Sequence, residues 1–277
     1  MFTQQNVEPF GVLLEASDKK LHIRDIDVGQ LKELFHEHQL VVLRGFLDFS
    51  TSEEFAQYCE SWGPISIWPF GKVLEVVEHA NPTDHIFDHS YVPLHWDGMY
   101  RPEVAEYQIF HCVKSPLGHQ GGRTTFSNTR KILEHASQSD LTLWKRVTGE
   151  YERKMEFYHS KIVAPVIAKH PTKNYEVIRY CEPTKESSEH FLNHPEIQFQ
   201  GINVEESDQF KTSLAKALYS PKNLYAHQWQ AGDLVIADNH TLLHGRESFT
   251  TKASRHLRRV HVLGERSSKN PHLVFHQ

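Results

Sequence analysis

From residue 64 onward the chain breaks into short apolar runs, each closed by turn residues. Such runs cover residues 73–77, 107–113, 124–127, 161–167, 176–180, 234–237 and 258–263. Asn81-Pro82, Gly121-Gly122, Ala231-Gly232-Asp233 and Asp238-Asn239 punctuate them. Many short strands with turn signals between them argue for a β-sandwich or barrel. The segment before residue 64 differs. Ile26, Val28, Leu31, Leu34 and Phe35 fall at near-helical spacing between residues 25 and 39, and a strand at 40–43 stops at Arg44-Gly45. Ser50 or Thr51 caps the next helix, with Glu53 or Glu54 near its start, and that helix ends at Gly63-Pro64. A further helix is expected near 206–219, with Phe210, Leu214, Leu218 and Tyr219 on one side. No repeat and no long Pro/Gly/Ser linker divides the chain. The expectation is a single domain, 1–277, mainly β with flanking helices (α+β), in which 1–63 forms a helical N-terminal layer.

Charge and composition narrow the function. Lys plus Arg is 30 against 35 Asp plus Glu, a net charge of -5, so nucleic acid and anionic membranes are disfavoured as partners. Three scattered cysteines, Cys59, Cys112 and Cys181, do not make a disulfide framework or a cysteine zinc site. The opening ten residues lack a basic segment followed by an apolar run, and the longest apolar runs, 40–43 and 234–237, are strand-sized. A cytoplasmic protein with a small-molecule substrate is expected. Soluble oligomers are most often dimers, so a homo-oligomer is compatible with the chain. The outlying number is 21 histidines in 277 residues. Histidine is the commonest metal ligand and the usual proton shuttle, so the excess points to a metal enzyme.

His95 and Asp97 are separated by one residue, which on an extended strand puts both on one face. An imidazole and a carboxylate can then grip one metal ion, with a third ligand from a distant strand. The spacing alone carries little, because 21 histidines and 35 acids produce such pairs by chance, and His194-Pro195-Glu196 is another. Context separates them. His194 lies in a polar loop, whereas His95 ends an apolar run and precedes Gly98. In the second half an apolar strand enters the Asp238-Asn239 turn, and His240 and His244 follow. Two histidines and one carboxylate leave three octahedral positions open for a co-substrate and dioxygen.

The parts in order are His95/Asp97, Gly121-Gly122-Arg123-Thr124, Asp238-Asn239, His244 and, 11 residues later, Arg255. This layout resembles the TauD/TfdA family of non-haem Fe(II), 2-oxoglutarate-dependent dioxygenases, and the resemblance runs over nearly the whole chain. It implies a double-stranded β-helix, a jelly-roll, cupin-like core. It implies Fe(II) held by His95, Asp97 and His244, with His240 the competitor for the third position. It implies 2-oxoglutarate as co-substrate alongside O2, its distal carboxylate on Arg255 with Thr124 assisting. A planar guanidinium suits that carboxylate because it can make two hydrogen bonds to it.

On a strand, Arg255, Leu257, Arg259 and His261 share one face, and His256, Arg258 and Val260 the other. The family places a substrate acid near the second arginine, which makes Arg259 the expected carboxylate anchor, against a structural ion pair. Arg258 is expected on the surface or against a neighbouring strand. Trp68, Tyr91 and Tyr100 stand where family members contact substrate, and Trp96, between two ligands, should face away and pack. Cys112 reads as a small core residue. The stretches 68–80, 84–100, 121–127, 237–247 and 256–262 further resemble the isonitrile-pathway branch of the family. That implies a tyrosine-derived isonitrile acid, desaturated at Cα–Cβ with its carboxylate kept or lost as CO2. The competing expectations are a hydroxylase of a small sulfonate or another amino acid, and a catalytically silent metal-binding sandwich.

Overall fold

The computed structural model describes residues 2–116, 120–155, 158–184, 192–250, 255–264 and 268–277. The N-terminal segment holds β1 (Phe2–Asn6), β2 (Val12–Ala16), α1 (Val28–His38), β3 (Leu40–Arg44) and α2 (Ser52–Glu60). Then come β4 (Leu74–Val77), β5 (Val92–His95), β6 (Glu103–Val104), β7 (Tyr107–Lys114), β8 (Thr124–Asn128), α3 (Thr129–His135) and α4 (Gln138–Trp144). The middle contains β9 (Thr148–Met155), β10 (Tyr158–Pro165), β11 (Ile167–Lys169), β12 (Glu176–Ile178), β13 (Glu196–Gln200) and α5 (Val204–Leu218). The chain ends with β14 (Leu224–His227), β15 (Leu234–Asp238), β16 (Leu242–Arg246), β17 (His256–Val262), β18 (Ser268–Lys269) and β19 (Leu273–His276). Among the described residues, no helix is long and apolar enough to cross a membrane.

Two sheets build the jelly-roll core. The larger runs β1-β2-β3-β15-β7-β17-β4 and the smaller β14-β8-β16-β5. Apolar side chains from both meet between them: Phe110, Val235 and Leu257 from one, Phe126 and Leu242 from the other. The outer face of the larger sheet is covered by α1 and α2. Ile109, Leu234, Ile236, Val260 and Val262 pack there against Leu31, Phe35 and Phe55. Period-2 alternation thus sorts each central strand into one residue for the helices and the next for the interior. A third sheet, β13-β9-β10-β19, carries a separate core with α4 and α5.

The helices form where the sequence marks them. Asp27 caps α1 by accepting from Gln30 N at 2.8 Å, and Thr51 caps α2 in a capping box with Glu54. The N-terminal layer is not wholly helical, however. β2 pairs in parallel with β3, and β1 adds an outer strand of sequence Phe-Thr-Gln-Gln-Asn. Four of those five residues are exposed, so an edge position supplies no hydrophobic pattern to read. The run at 161–167 divides between β10 and β11, which pair in different sheets.

Candidate metal centre

β5 and β16 pair antiparallel with His95 directly opposite His244, and the two rings lie 4.3 Å apart. Asp97 stands two residues past the end of β5. His95 Nε2 is 3.8 Å from Asp97 Oδ1, and His244 Nε2 is 3.6 Å from Asp97 Oδ2. The three ligand atoms lie within 4.8 Å of one another, a spacing at which they can hold one metal ion. The Nδ1 of His95 donates to the Pro93 carbonyl at 2.8 Å, which leaves Nε2 with the lone pair a metal needs.

The charge states suit a cation. Burial lowers the pKa of both imidazoles, so they are neutral at neutral pH. Burial alone would push the Asp97 carboxyl up, but Arg259 and His261 outweigh it and hold it well below the usual carboxylate range. Asp97 Oδ2 accepts from Gln108 Nε2 at 2.5 Å, Arg259 Nη1 at 2.6 Å and His261 Nε2 at 3.0 Å. Its backbone is clamped too. Asn239 Oδ1 accepts from Asp97 N at 3.1 Å, and Asn239 Nδ2 donates to Asp97 O at 3.0 Å. Two neutral imidazoles and one fixed carboxylate make a donor set that fits Fe(II) with open positions.

His240 is not part of this group. It points into a second trio with His170 and Asp238. There Asp238 already accepts from the backbone of His240 and Thr241 and from the Thr241 hydroxyl, and Lys173 Nζ stands 3.7 Å away. Arg179 Nη1 donates to the His240 carbonyl at 2.9 Å. With two cations beside it, that trio is a poor host for a third.

Beside the metal trio lies a cavity lined by Thr124, Phe110, Arg246, Arg255, Leu257 and Arg259. The expected strand parity holds, since Arg255, Leu257 and Arg259 all face it. Arg246 spends Nη1 and Nη2 on the carbonyls of His85, Ile86, Asp88 and Ser90. Arg255 is not closed off in this way. It donates to Gly122 O at 3.0 Å and lies 3.4 Å from Thr124 Oγ1, beneath the Phe249 ring. Among the described residues no carboxylate pairs with it. Burial pushes its pKa down to about 10, so it stays charged. A buried guanidinium opening onto a cavity calls for an anion. The residues therefore fit 2-oxoglutarate.

A second cavity opens on the other side of Arg259, and its lining includes Trp68, Tyr100, Arg153 and Tyr158. Trp68 stacks on Phe70, with the Arg101 guanidinium 4.6 Å from its ring. Tyr100 stacks on Tyr158 at 6.1 Å. Trp96 turns from the metal into the core under Arg179, and Cys112 is buried in the core. Arg258 is buried, donating to Phe49 O and facing Glu75 of neighbouring β4 at 3.6 Å. Tyr91 is a correction. It is 39% exposed, bonded to Glu182 and Tyr219, and lines neither cavity. The β5–β16 register shifts between Val92 and His95, so both of these face the cavity and simple alternation fails at Tyr91. Arg259, expected as a substrate anchor, spends Nη1 on Asp97 while also lining both cavities. Sequence reasoning missed Gln108, Asn239 and Arg153. Gln108 was detectable, because it precedes core-facing Ile109 and must point inward.

A family profile described as taurine catabolism dioxygenase TauD, TfdA family, matches residues 6–261. The chain belongs to this family. It is an iron- and 2-oxoglutarate-dependent oxygenase. Tyrosine isonitrile desaturase of Erwinia amylovora is 48% identical over 98% of this chain and 94% of that protein. The 3-((Z)-2-isocyanoethenyl)-1H-indole synthase of Fischerella ambigua is 38% identical over 95% of this chain and 96% of that protein. Among solved structures, PvcB, described as an Fe, alpha-ketoglutarate dependent oxygenase from an isonitrile synthetic pathway, superposes with a TM-score of 0.84 at 42% identity. That match covers 99% of this chain and 96% of PvcB.

Gln108 gives this family member a direct test. Gln108→Leu removes one of three donors to Asp97 Oδ2, and a 3.3 Å contact to His244 Nε2, without replacing a ligand. Losing such an outer contact weakens metal binding about 10- to 100-fold. Iron titration by equilibrium dialysis should read that loss in a variant that melts as a folded protein. Unchanged iron affinity would mean that Arg259, His261 and the Asn239 clamp orient Asp97 without Gln108.

Proposed function

We propose that the chain desaturates a tyrosine-derived isonitrile acid between Cα and Cβ in isonitrile natural-product biosynthesis. The observation that carries the reading is the aromatic cavity of Trp68, Tyr100 and Tyr158, set across Arg259 from the Arg255 cavity. Such a cage receives a phenol ring by offset or edge-on stacking. The identity to a tyrosine isonitrile desaturase supports the same substrate class. We also read residues 1–277 as a single dioxygenase domain. A reducing, cytoplasmic setting is supported by three unpaired, buried cysteines.

In this reading His95, Asp97 and His244 hold Fe(II), and the remaining positions take 2-oxoglutarate and O2. Iron, when bound, couples oxidation of 2-oxoglutarate to succinate and CO2 with removal of two substrate hydrogens, the oxygen atoms of O2 ending in succinate and in water. Arg255 fixes the distal carboxylate of 2-oxoglutarate, with the Thr124 hydroxyl beside it and Phe249 holding the guanidinium plane. Leu74, Phe110 and Leu257 keep that side dry, which strengthens the charge pairing. Arg259 spends one nitrogen on Asp97 and offers the rest of its fork to the substrate acid. Anchored there, with its ring in the aromatic cage, the substrate presents its benzylic carbon to the metal.

The reading is tested by supplying the protein with Fe(II), 2-oxoglutarate and tyrosine isonitrile, and weighing the products. The expected product is lighter by two hydrogens, with or without a further loss of CO2. No substrate-dependent succinate, together with turnover of a small sulfonate, would replace the substrate class.

Ligand assignment has its own test. His95→Ala, Asp97→Ala and His244→Ala should each abolish turnover, whereas His240→Ala should keep most of it. A dead His240→Ala that still binds iron normally would make the His170 trio part of the chemistry.

Arg255→Leu should chiefly raise the 2-oxoglutarate requirement. Loss of one partner of a buried charge pair costs about 2–5 kcal/mol. Titration of succinate formation against 2-oxoglutarate reads it, and an unchanged requirement would remove Arg255 from the site.

A further inference from the structure

Arg179, just beyond β12, is a second buried guanidinium that opens onto a cavity, and the Asp238 carboxylate acts on it only from beyond ion-pair distance. It is 6% exposed, donates to the His240 carbonyl at 2.9 Å, and lies 4.9 Å from the centre of the Trp96 ring. Among the described residues no acid forms an ion pair with it. The cleft it faces has a volume of about 350 Å³, and its lining includes Trp96, Lys169, Thr172, Arg179, Lys269 and His272. Among the described residues no Asp or Glu lines it.

Lys169 is not neutralised from its neighbouring strand. Glu176, opposite Lys169 in the β11–β12 pair, is engaged by Lys145 at 2.9 Å. Lys269 is opposite Glu103 in the β6–β18 pair. Burial, with Arg179 nearby, lowers the His272 pKa, so its imidazole adds hydrogen bonding without charge.

Exposed lysines alone describe any solvated face. The distinguishing feature is a guanidinium taken out of water at the floor of the same cleft, held by one backbone carbonyl and a flat aromatic face. The chain has a second guanidinium in this condition, Arg255, and that one faces the co-substrate cavity. A planar fork below two mobile ammonium groups matches a small molecule carrying two or three negative charges. Trp96 forms a wall of this cleft and also of the aromatic cavity. The cleft therefore lies directly behind the residue between His95 and Asp97.

We propose that the Lys169–Arg179–Lys269 cleft binds a compact polyanion, a di- or tricarboxylate or a phosphate monoester, at a site separate from the 2-oxoglutarate cavity. Two probes distinguish the sources: tricarballylate for carboxylates and 2-phosphoglycolate for phosphate esters. Each is titrated calorimetrically into anaerobic protein saturated with Fe(II) and 2-oxoglutarate, so the co-substrate cavity is filled. Saturable binding of one probe at millimolar concentration or below is expected. The double variant Lys169→Glu/Lys269→Glu changes two exposed side chains, and should lower that affinity tenfold or more while its thermal melt stays that of a folded protein. Arg179→Gln provides a second arm with the same expected loss. The proposal is overturned if neither probe binds, or if the double variant binds as tightly as the parent. It is equally overturned if added 2-oxoglutarate competes the probe away, which would place the probe at Arg255.

Discussion

A carboxylate taken out of water is tolerable only where charge and hydrogen bonds meet it, and Asp97 is met from three strands of the core. Gln108 arrives from β7, Arg259 and His261 from β17, and His244 stands across from it on β16. The Asp238-Asn239 turn then fixes its backbone from the end of β15. Each contact requires its strand to be in register with the others. The larger sheet and the smaller one are thus tied together at one side chain, and the metal trio is a consequence of that tie. The Asn of the turn needs no catalytic role to be necessary. Without its amide, nothing else described would hold the Asp97 peptide against β15.

Arg246, Arg255 and Arg179, all buried, illustrate one rule with different outcomes. Arg246 faces the same cavity as Arg255 but turns Nη1 and Nη2 onto four carbonyls between His85 and Ser90. It is a structural clasp, closing the segment before β5 over β16. Arg255 has one carbonyl, one hydroxyl and a ring, and it remains open to the cavity. Arg179 has one carbonyl and a ring. The number of donors left over, rather than burial itself, separates an arginine that holds the fold from one that waits for a ligand.

The same reasoning explains what the sequence disclosed. Strand β17 alternates without interruption from Leu257 to Val262, so the inward set of Leu257, Arg259 and His261 was legible by counting. The His240-against-His244 choice rested on the distance to Arg255, and the fold separates the two because a turn and a strand start lie between them. Tyr91 was not legible, because its face depends on a register shift between two strands, and that is a property of the pair. β1 was not legible because an edge strand with four exposed residues carries no apolar signal. Arg153 was missed because β9 reads as a polar stretch until its partners β10 and β13 are placed beside it.

Arg259 is where fold and chemistry impose competing demands. Its charge helps hold Asp97 ionised, which a divalent metal requires. Its position between the two cavities is also where a substrate acid would be oriented. These demands are compatible because a guanidinium has five donors and Asp97 takes one. Lysine could not serve both, since its charge is a single point and would follow the nearer carboxylate. An arginine shared between the ligand that holds the metal and the acid that positions the substrate couples the two geometrically. In the proposed reading, a substrate that pulled the fork would also set the orientation of Asp97, so binding at the aromatic cavity would be felt at the metal without any movement of the sheets.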